Sequence, residues 1–417
     1  MNGAGGPAGP DDSERLARAA ISYLVEPADE VFGELLTAYS PGELLAAIKA
    51  DRPPAGLAGR LAEVRGRPVT GPVAGAITRA MSRWRARLPE LPPDGTLDRL
   101  ARGDLRVTDG GGRLVSCEFR LVCPGDAEWP EALGELGTAQ PYVLWVRGAG
   151  ELRDSPARSV SVVGSRACTG YGAHVAGVLA GELAERGWTV VSGGAYGIDA
   201  AAHRAALHAG GQTVAVLACG VDFAYPAGHA GLFAAIEAGG LIVSEWPPGS
   251  RPTRLRFLVR NRVIAALGSG TVVVEAGRRS GALNTARHAA ELGRKLMAVP
   301  GPVTSEQSDG CHRIIREWNG ACVTCTADVL EMLSPVGVGR EPSARPPDPR
   351  RPRDQLDLST AQVLDAFPPR AVVGPAALAV QAGLDLNEVL GSLGTLLAAG
   401  LIETADGGLR LTRLARE

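Results

Sequence analysis

Short runs rich in Val, Ile and Thr alternate with stretches of helical periodicity between residues 159 and 333. This alternation is typical of β-α-β units, in which helices connect parallel strands. Most runs end in a turn that contains Gly or Pro, and helical stretches such as 171–185 and 283–292 follow. The predicted strands are 159–164, 189–194, 213–220, 241–246, 271–277 and 295–301. We therefore predict a doubly wound parallel α/β sheet whose ligands bind at the carboxyl ends of its strands.

The segments on both sides of this sheet differ from it in composition. Ser40, Pro41 and Glu43 form a capping-box pattern that starts a helix within a region of helical periodicity. The last part of the chain shows three helical stretches and then a hairpin around Asp406, an order that resembles a winged helix. The predicted organisation is a disordered tail (1–12), an N-terminal helical domain (13–114), the sheet domain (115–333), an extended linker (334–357) and a C-terminal winged-helix-like domain (358–417).

The overall charge excludes a globally basic protein. The net charge is -2 at pH 7, so a nucleic-acid surface has to be a local patch. No apolar run approaches the ~20 residues needed to cross a bilayer, and the first residues lack a signal-peptide pattern. We therefore expect a cytoplasmic protein without a membrane partner. Among seven scattered cysteines, only Cys322 and Cys325 form a C-x-x-C, so we expect buried thiols and no metal.

Two Gly-rich turns follow the first two predicted strands of the sheet. The first turn contains Ser165 and Arg166 and leads into a helix, where backbone N–H groups, the helix dipole and the guanidinium favour a phosphate. The second turn permits positive φ angles and close approach of a sugar-phosphate chain. The glycines concerned are Gly164 and Gly170 in the first turn and Gly193, Gly194 and Gly197 in the second. Each turn alone is equally compatible with a tight strand-to-helix connection that binds nothing.

The segment 251–262 concentrates positive charge at the same predicted edge, since it holds five arginines and no acidic residue. Arginines neutralise phosphates and release counterions, and Phe257 among them is suited to stack on an exposed base. The five are Arg251, Arg254, Arg256, Arg260 and Arg262. This combination predicts a groove for a single strand of nucleic acid. The alternative is a solvated arginine face with Phe257 in the core.

A fourth turn, at 273–286, offers further arginines together with Ser280 and Gly281 before a helix, and it extends the same groove. Glu275 ends its strand without a nucleophile, a histidine or a second acid in a recognisable arrangement, so we expect it to cap a helix or pair with an arginine. The first turn lacks the G-x-G-x-x-G of dinucleotide folds, and neither lysine of the chain belongs to a Walker A loop. The sequence therefore predicts phosphate binding with no catalytic residues and no cofactor.

Taken in order, these motifs resemble the DprA/Smf family of DNA-processing proteins. The resemblance covers about 119–333 and consists of GSR with a downstream TGYG, SGGAYGIDAAAH, SEWPPGSRP, RNRVIAALG, VVEAGRRSGALNTA and AVPGPV. It implies an extended Rossmann-like fold that binds single-stranded DNA of any sequence, protects incoming DNA and loads RecA in natural transformation. It also implies a homodimer rather than an enzyme. The DNA-contacting residues carried over by position are Gly164, Ser165, Arg166, Arg254, Phe257, Arg260, Asn261, Arg262, Ser280 and Gly281.

The sequence departs from the family pattern at a few positions. Leu258 stands where Pro is common, His312 stands where Asn is common, and Trp318 and Asn319 form a small insertion. These departures concern the rim of the expected pocket. In the winged-helix-like domain, the would-be recognition helix at 384–400 has no Arg or Lys, so we predict that it contacts protein and does not read duplex DNA.

One other class of function fits a Rossmann variant of this kind. Nucleotide-processing enzymes of the lysine-decarboxylase-like phosphoribohydrolase group show a P-G-G-x-G-T-x-x-E segment at the fifth strand. Here Glu275, Ala276 and Gly277 are followed by two arginines and Ser280 instead. Release of a base or of ribose phosphate from a nucleoside monophosphate would support this alternative.

Overall fold

The structure is a computed structural model of the 417-residue chain. It describes residues 9–102, 106–108, 114–116, 119–152, 158–334, 356–369 and 371–415. Two compact units are present, Met1–Val338 and Gly339–Glu417. Most of the predicted tail (1–12) and nearly all of the predicted linker (334–357) lie outside the described residues. The predicted boundary at 114/115 falls within a short strand, Leu114–Ser116.

Helices dominate the first part of the larger unit. The Ser40 side chain accepts a hydrogen bond from the Glu43 amide while the Glu43 carboxylate accepts one from the Ser40 amide, which is the predicted capping box. Phe32, Trp84 and Tyr142 pack edge to face and fill the core between these helices. The elements are α1 (Asp12–Leu24), α2 (Glu30–Leu36), α3 (Pro41–Lys49), α4 (Leu57–Arg65), α5 (Gly71–Ala86), α6 (Asp94–Ala101), β1 (Arg106–Thr108) and β2 (Leu114–Ser116).

A nine-stranded sheet forms the centre of the larger unit, in the order β11-β10-β9-β5-β6-β7-β8-β4-β3. Seven neighbouring strands, β11 to β8 in that order, are parallel, and β4 and β3 add an antiparallel edge. The strands are β3 (Phe119–Val122), β4 (Leu144–Arg147), β5 (Ser159–Val163), β6 (Thr189–Ser192), β7 (Thr213–Val216), β8 (Leu241–Ser244), β9 (Gly270–Val273), β10 (Lys295–Ala298) and β11 (Ala321–Cys322). The predicted α/β class is confirmed.

The connecting helices place the reversal of strand order between β5 and β9. From β5 the chain proceeds to β6, β7 and β8 on one side, and β9 to β11 continue on the other. In open α/β sheets, a crevice for ligands opens at such a reversal, outside the carboxyl ends of the strands. The helices are α7 (Gly170–Glu185), α8 (Ile198–His208), α9 (Ala230–Gly239), α10 (Arg254–Leu267), α11 (Ala282–Glu291), α12 (Asp309–Glu317) and α13 (Thr326–Leu333).

The strands are buried on both faces, which explains their continuous apolar sequences. One expectation about the edge of the sheet is wrong. Cys322 ends the edge strand β11 and is exposed, and Cys325 is only half-buried, so the C-x-x-C does not consist of core thiols. Within the described ranges, none of the helices has the length and apolar character that a bilayer span requires.

The smaller unit has the winged-helix order that the sequence predicts. Helix α14 (Leu358–Asp365), α15 (Pro375–Ala382) and α16 (Leu386–Ala398) precede the hairpin of β12 (Ile402–Ala405) and β13 (Gly408–Leu411). A bridge between Val373 and Leu409 ties the loop before α15 to the wing. Helix α16 occupies the position of the recognition helix, and its exposed side chains include Leu386, Leu390 and Leu397. Charge for phosphate contact is therefore absent from this helix.

Candidate nucleic-acid interface

A cavity of about 770 Å³ opens at the carboxyl edge of the sheet, at the reversal between β5 and β9. Its walls come from the turns after β5 and β9, from the loop after β7 and from the first turns of α10. The sequence-predicted residues that line it are Gly164, Ser165, Arg166, Arg254, Phe257, Arg260, Asn261, Ser280 and Gly281. Segments far apart in the sequence thus converge on one site.

Three arginines in the cavity wall have side chains free of acidic partners within the described residues. They are Arg166 after β5, Arg254 at the start of α10 and Arg279 after β9, and all three are exposed. Among the residues that the structure describes, most of the other arginines are paired with carboxylates, as Arg147 is with Glu237. Three unpaired guanidinium groups around one cavity create a strong local positive potential, which attracts a polyanion.

Phe257 lies among these charges as a half-buried ring. The guanidinium carbon of Arg166 lies 4.7 Å from the centre of the Phe257 ring, within cation–π range. On another side the Tyr225 ring lies 5.7 Å away, centre to centre, at a tilt of 50°. The ring is therefore supported by neighbours and open to the cavity, which suits it to stack on a base.

The first turn of α10 is braced by its cap and by the N-terminal helices. The Thr253 hydroxyl accepts a hydrogen bond from the Arg256 amide and caps the helix. Glu26, which follows α1, accepts hydrogen bonds from the indole of Trp246 at 2.9 Å and from Arg256 at 2.6 Å. The hydrogen bonds from Arg256 and Trp246, together with the charges of Arg256 and Arg87, overcome partial burial and lower the Glu26 pKa below its ordinary value. The helical region thus fixes the element that carries Arg254 and Phe257.

Arg260 forms part of the cavity floor and holds the strand ends in place. It is 4% exposed, and its guanidinium donates hydrogen bonds to the carbonyls of Gly193 and Val216, at the ends of β6 and β7. Burial lowers the Arg260 pKa to about 10, and the charge of Asp199 opposes this shift. Asp199 in turn accepts hydrogen bonds from the Gly193 and Ala195 amides, and burial raises its pKa. The acid in the wall therefore orders the second Gly-rich turn.

Asn261 connects α10 to the turn after β9. Its side-chain amide donates to the Gly281 carbonyl at 3.3 Å and to the Asn284 side chain at 3.1 Å. The Ser280 hydroxyl accepts a hydrogen bond from the Ala282 amide at the start of α11. These bonds keep Ser280, Gly281 and Arg279 on the cavity side of the turn.

Comparison with known proteins gives the same picture of the sheet domain. The sequence pattern described as DNA recombination-mediator protein A matches residues 120–334, more than half of this chain. This chain belongs to that family, DprA/Smf.

Individual family members match over most of their length. The DprA protein of Mycobacterium tuberculosis strain H37Rv is 47% identical over 318 residues, which are 74% of this chain and 81% of the relative. The Smf protein of Escherichia coli K12 is 39% identical over 302 residues, 70% of this chain and 78% of the relative. The X-ray structure of DNA processing protein A from Streptococcus pneumoniae has 31% identity and a TM-score of 0.56, and it covers 78% of this chain and 99% of its own. These matches support the extended Rossmann-like fold for this DprA/Smf family member.

Arg262 does not lie in the cavity of this family member, contrary to the expectation from the motif. It is 4% exposed, and its guanidinium forms a bidentate ion pair with the buried carboxylate of Glu245 at 2.5 and 2.6 Å. Its Nε atom donates to the Ala139 carbonyl. Since all three nitrogens are engaged inside the protein, Arg262 stabilises the fold and we assign it no phosphate contact.

The anion position at the start of α7 is also occupied from within. The Glu275 carboxylate accepts hydrogen bonds from the Thr169 amide at 2.8 Å and the Thr169 hydroxyl at 2.6 Å. A Cβ atom at Gly172 would collide with this carboxylate, and Glu275 is only 3% exposed. Gly170, predicted as a phosphate contact, lies in this first turn and does not line the cavity. Glu275 therefore has the predicted helix-cap role.

The glycines after β6 are required by the backbone conformation and by close packing, and they do not line the cavity. Gly197 has φ of +77°, and a Cβ atom there would meet the Ser165 carbonyl oxygen. A Cβ atom at Gly193 would clash with the Arg260 guanidinium, whereas Gly194 has φ of +67°. A larger residue at Gly197 would separate the two Gly-rich turns, whereas one at Gly193 would displace the Arg260 guanidinium. We therefore infer that these glycines determine the shape of the site and make no direct contact with a ligand.

Several cavity residues carry no signal in the sequence that singles them out. Tyr225 comes from the loop after β7, Gln307 precedes α12, and Thr285 lies in α11. Tyr225 and Gln307 belong to none of the motifs, and Thr285 lies within the fourth motif, which does not distinguish it from its neighbours. Arg279 stands in the fourth motif, but its neighbour Arg278 is equally basic and lies 3.9 Å from Asp309. Only the fold distinguishes the free arginine from the paired one.

Proposed function

We propose that this chain binds single-stranded DNA of any sequence in the cavity at the β5–β9 reversal. Arg166, Arg254 and Arg279 hold backbone phosphates, and an unstacked base lies on Phe257. The observation that carries the proposal is the set of three unpaired, exposed guanidinium groups around one supported aromatic ring. Phosphate contacts of this kind carry no base information, so binding is independent of sequence.

The cavity floor determines how the strand is held. The Arg260 guanidinium donates its hydrogen bonds to the Gly193 and Val216 carbonyls. It therefore positions the wall and attracts the strand by its charge, without a direct contact to a phosphate. Asn261 and the Gly281 carbonyl hold the opposite wall. The two walls are thereby kept apart at a fixed width in the absence of DNA, which lowers the entropy lost on binding.

We further propose that binding protects incoming DNA and that the bound strand is passed to RecA in natural transformation, with a homodimer as the working unit. The name of the matched family, DNA recombination-mediator protein A, supports this assignment. The Streptococcus pneumoniae relative is likewise named a DNA processing protein. Cytoplasmic location remains a prediction of the sequence.

We propose that the chain is not an enzyme. Asp199, which lines the cavity, accepts hydrogen bonds from the Gly193 and Ala195 amides, and Glu275 accepts them from Thr169. A general base must reach a substrate proton, and neither group is presented for that purpose. Incubation with nucleoside monophosphates tests the phosphoribohydrolase alternative, since release of a free base by the purified protein would restore it.

The deciding experiment is fluorescence anisotropy of a labelled oligonucleotide of ~30 nucleotides, single-stranded or duplex, across a series of salt concentrations. We expect tight binding of the single strand, weaker binding of the duplex, and a log-log salt dependence with a slope of roughly -2 if three phosphates are neutralised. Absence of single-strand binding at low salt would overturn the proposal. RecA filament formation on coated DNA then tests the loading step.

A further inference from the structure

The exposed aromatic residues of this chain lie at one edge of the sheet. The sequence contains 6 Trp, 6 Tyr and 6 Phe, all within the described ranges, and only Tyr171, Tyr196 and Tyr225 are strongly exposed, at 44%, 50% and 45%. They follow β5, β6 and β7, respectively. All three therefore stand at the carboxyl edge, where the cavity opens.

Tyr171 has an evident structural role, which separates it from the other two. Its hydroxyl donates a hydrogen bond to the Pro300 carbonyl at 2.7 Å and links α7 to the loop after β10. The hydroxyls of Tyr196 and Tyr225 have no hydrogen-bond partner within the described residues. A large ring exposed to water without such a bond contributes little to folding, so a binding role explains Tyr196 and Tyr225 better.

Both rings are supported from behind. Tyr225 leans on Phe257 at 5.7 Å, and Tyr196 lies against the His229 ring at 4.5 Å in an edge-to-face arrangement. His229 itself is 4% exposed, and its Nδ1 atom lies 3.0 Å from the Gly194 carbonyl oxygen. A supported ring loses little conformational freedom when a base stacks on it.

One short segment connects the two tyrosines. Residues 225–229 begin with Tyr225 and end with His229, and a Cβ atom at Gly228 would lie 2.8 Å from the Tyr196 hydroxyl oxygen. Tyr225 thus lines the cavity beside Phe257, whereas Tyr196 is outside the cavity lining and lies against the far end of the same segment. We propose that Tyr225 and Tyr196 are further base-stacking platforms, which extend the path of the single strand past the ends of β6 and β7. This inference rests on the proposed function.

The test compares a short and a long oligothymidylate, of about 4 and about 16 nucleotides, by anisotropy or competition. We expect Tyr196→Ala to weaken the long oligomer by about 5- to 150-fold and to leave the short one unchanged, because only the long strand reaches that ring. Tyr196→Phe keeps the ring and should bind both oligomers like the parent chain. Val178→Ala, at a similarly exposed position in the middle of α7, is the control for an apolar surface change.

A fluorescent base analogue locates the contact directly. With 2-aminopurine at successive positions of the long oligomer, we expect a position that is quenched by the parent chain and by Tyr196→Phe and is bright with Tyr196→Ala; Tyr225→Ala should restore brightness at a position nearer the cavity. Thermal unfolding shows whether each variant is folded.

The outcomes separate this inference from the proposed function. If Arg166→Ala weakens both oligomers and the tyrosine variants weaken neither, the extended path is wrong while the cavity stands, and the two rings become candidates for protein contact. If the parent chain binds neither oligomer, the proposed function itself fails.

Discussion

The two halves of α10 contain the same residue type and use it in opposite ways. At its first residue, Arg254 is exposed on the cavity and has no acidic partner among the residues that the structure describes. Further along, Arg260 and Arg262 are each 4% exposed and are hydrogen-bonded to protein groups. Arginines close together in sequence therefore differ in what they offer a ligand. The number of arginines in a basic motif overstates the charge available to a phosphate, and the pairing of each guanidinium decides it.

The largest expected effect is a loss of stability, and it tests the buried half of α10. Arg262→Ala leaves the Glu245 carboxylate buried without its partner, which should lower the free energy of unfolding by about 3–5 kcal/mol. Urea denaturation of the parent chain and the variant measures it. The double variant Arg262→Met with Glu245→Leu removes both charges and should recover most of the loss. A loss below about 1 kcal/mol in the single variant would show that Arg262 is not a structural ion pair.

The next effect concerns His203, which lies fully buried in α8, with Arg260 among the charges that act on it. Burial and these nearby positive charges lower the His203 pKa to about 3. Between pH 6.5 and pH 3 the unfolded chain therefore binds a proton that the folded chain does not, so stability falls as pH falls.

Between pH 6.5 and pH 5, this linkage amounts to about 2 kcal/mol for one histidine. We expect His203→Asn to show a shallower decline than the parent chain over that window, measured as the change in unfolding free energy at each pH. Parallel declines would indicate that other groups cause the acid sensitivity.

Phe257→Ala tests the exposed half by removing the ring in the cavity. Loss of base stacking should weaken single-strand binding by about 1–3 kcal/mol. The measurement is anisotropy at fixed salt, with thermal unfolding as the check on the fold. Unchanged affinity in a folded variant would remove Phe257 from the site.

Arg166→Ala is expected to act mainly through salt dependence. An exposed guanidinium on a phosphate is screened by ions, so the loss in affinity should be largest at low salt and should reduce the slope of log K against log salt by about 1. Poly-dT and mixed-sequence oligomers should lose affinity equally. Arg278→Ala, whose guanidinium faces Asp309, provides the matched control and should leave the slope unchanged.

The smallest expected effect lies outside α10. Helix α16 has no basic residue, so Asp385→Asn with Glu388→Gln should not alter single-strand affinity, and duplex binding by the smaller unit should be undetectable. A gel shift with duplex DNA checks it. Strong duplex binding by the smaller unit would mean that basic residues outside α16 supply the contact.

Sequence periodicity predicts six of the nine strands of the sheet, because β-branched runs of this kind are typical of strands that are buried on both faces. The predicted strand at 159–164 corresponds to β5, and the capping box at Ser40 starts α3 as expected. The edge strands β3, β4 and β11 are not predicted, because their runs at 119–122, 144–147 and 321–322 are short.

The site was less predictable than the fold, since a motif lists side chains without their orientations. Arg262 stands only eight residues after Arg254 in the same helix, but its side chain pairs with Glu245 and does not line the cavity. The sequence predicts that the turn at Gly170 binds an anion. The group that occupies this position is the carboxylate of Glu275, which follows β9 more than a hundred residues later. Both cases depend on partners that only tertiary structure brings together.

The contact between Arg166 and Phe257 has a consequence for the energetics of ligand exchange. The Arg166 guanidinium lies over one face of the ring, with 4.7 Å from its carbon to the ring centre. A nucleobase that stacks on this face of Phe257 displaces the cation, which then becomes available to the phosphate. Binding therefore exchanges one set of favourable contacts for another, so we expect calorimetry to record a modest net heat. Release of the strand follows the same exchange in reverse, with Arg166 returning to the Phe257 ring.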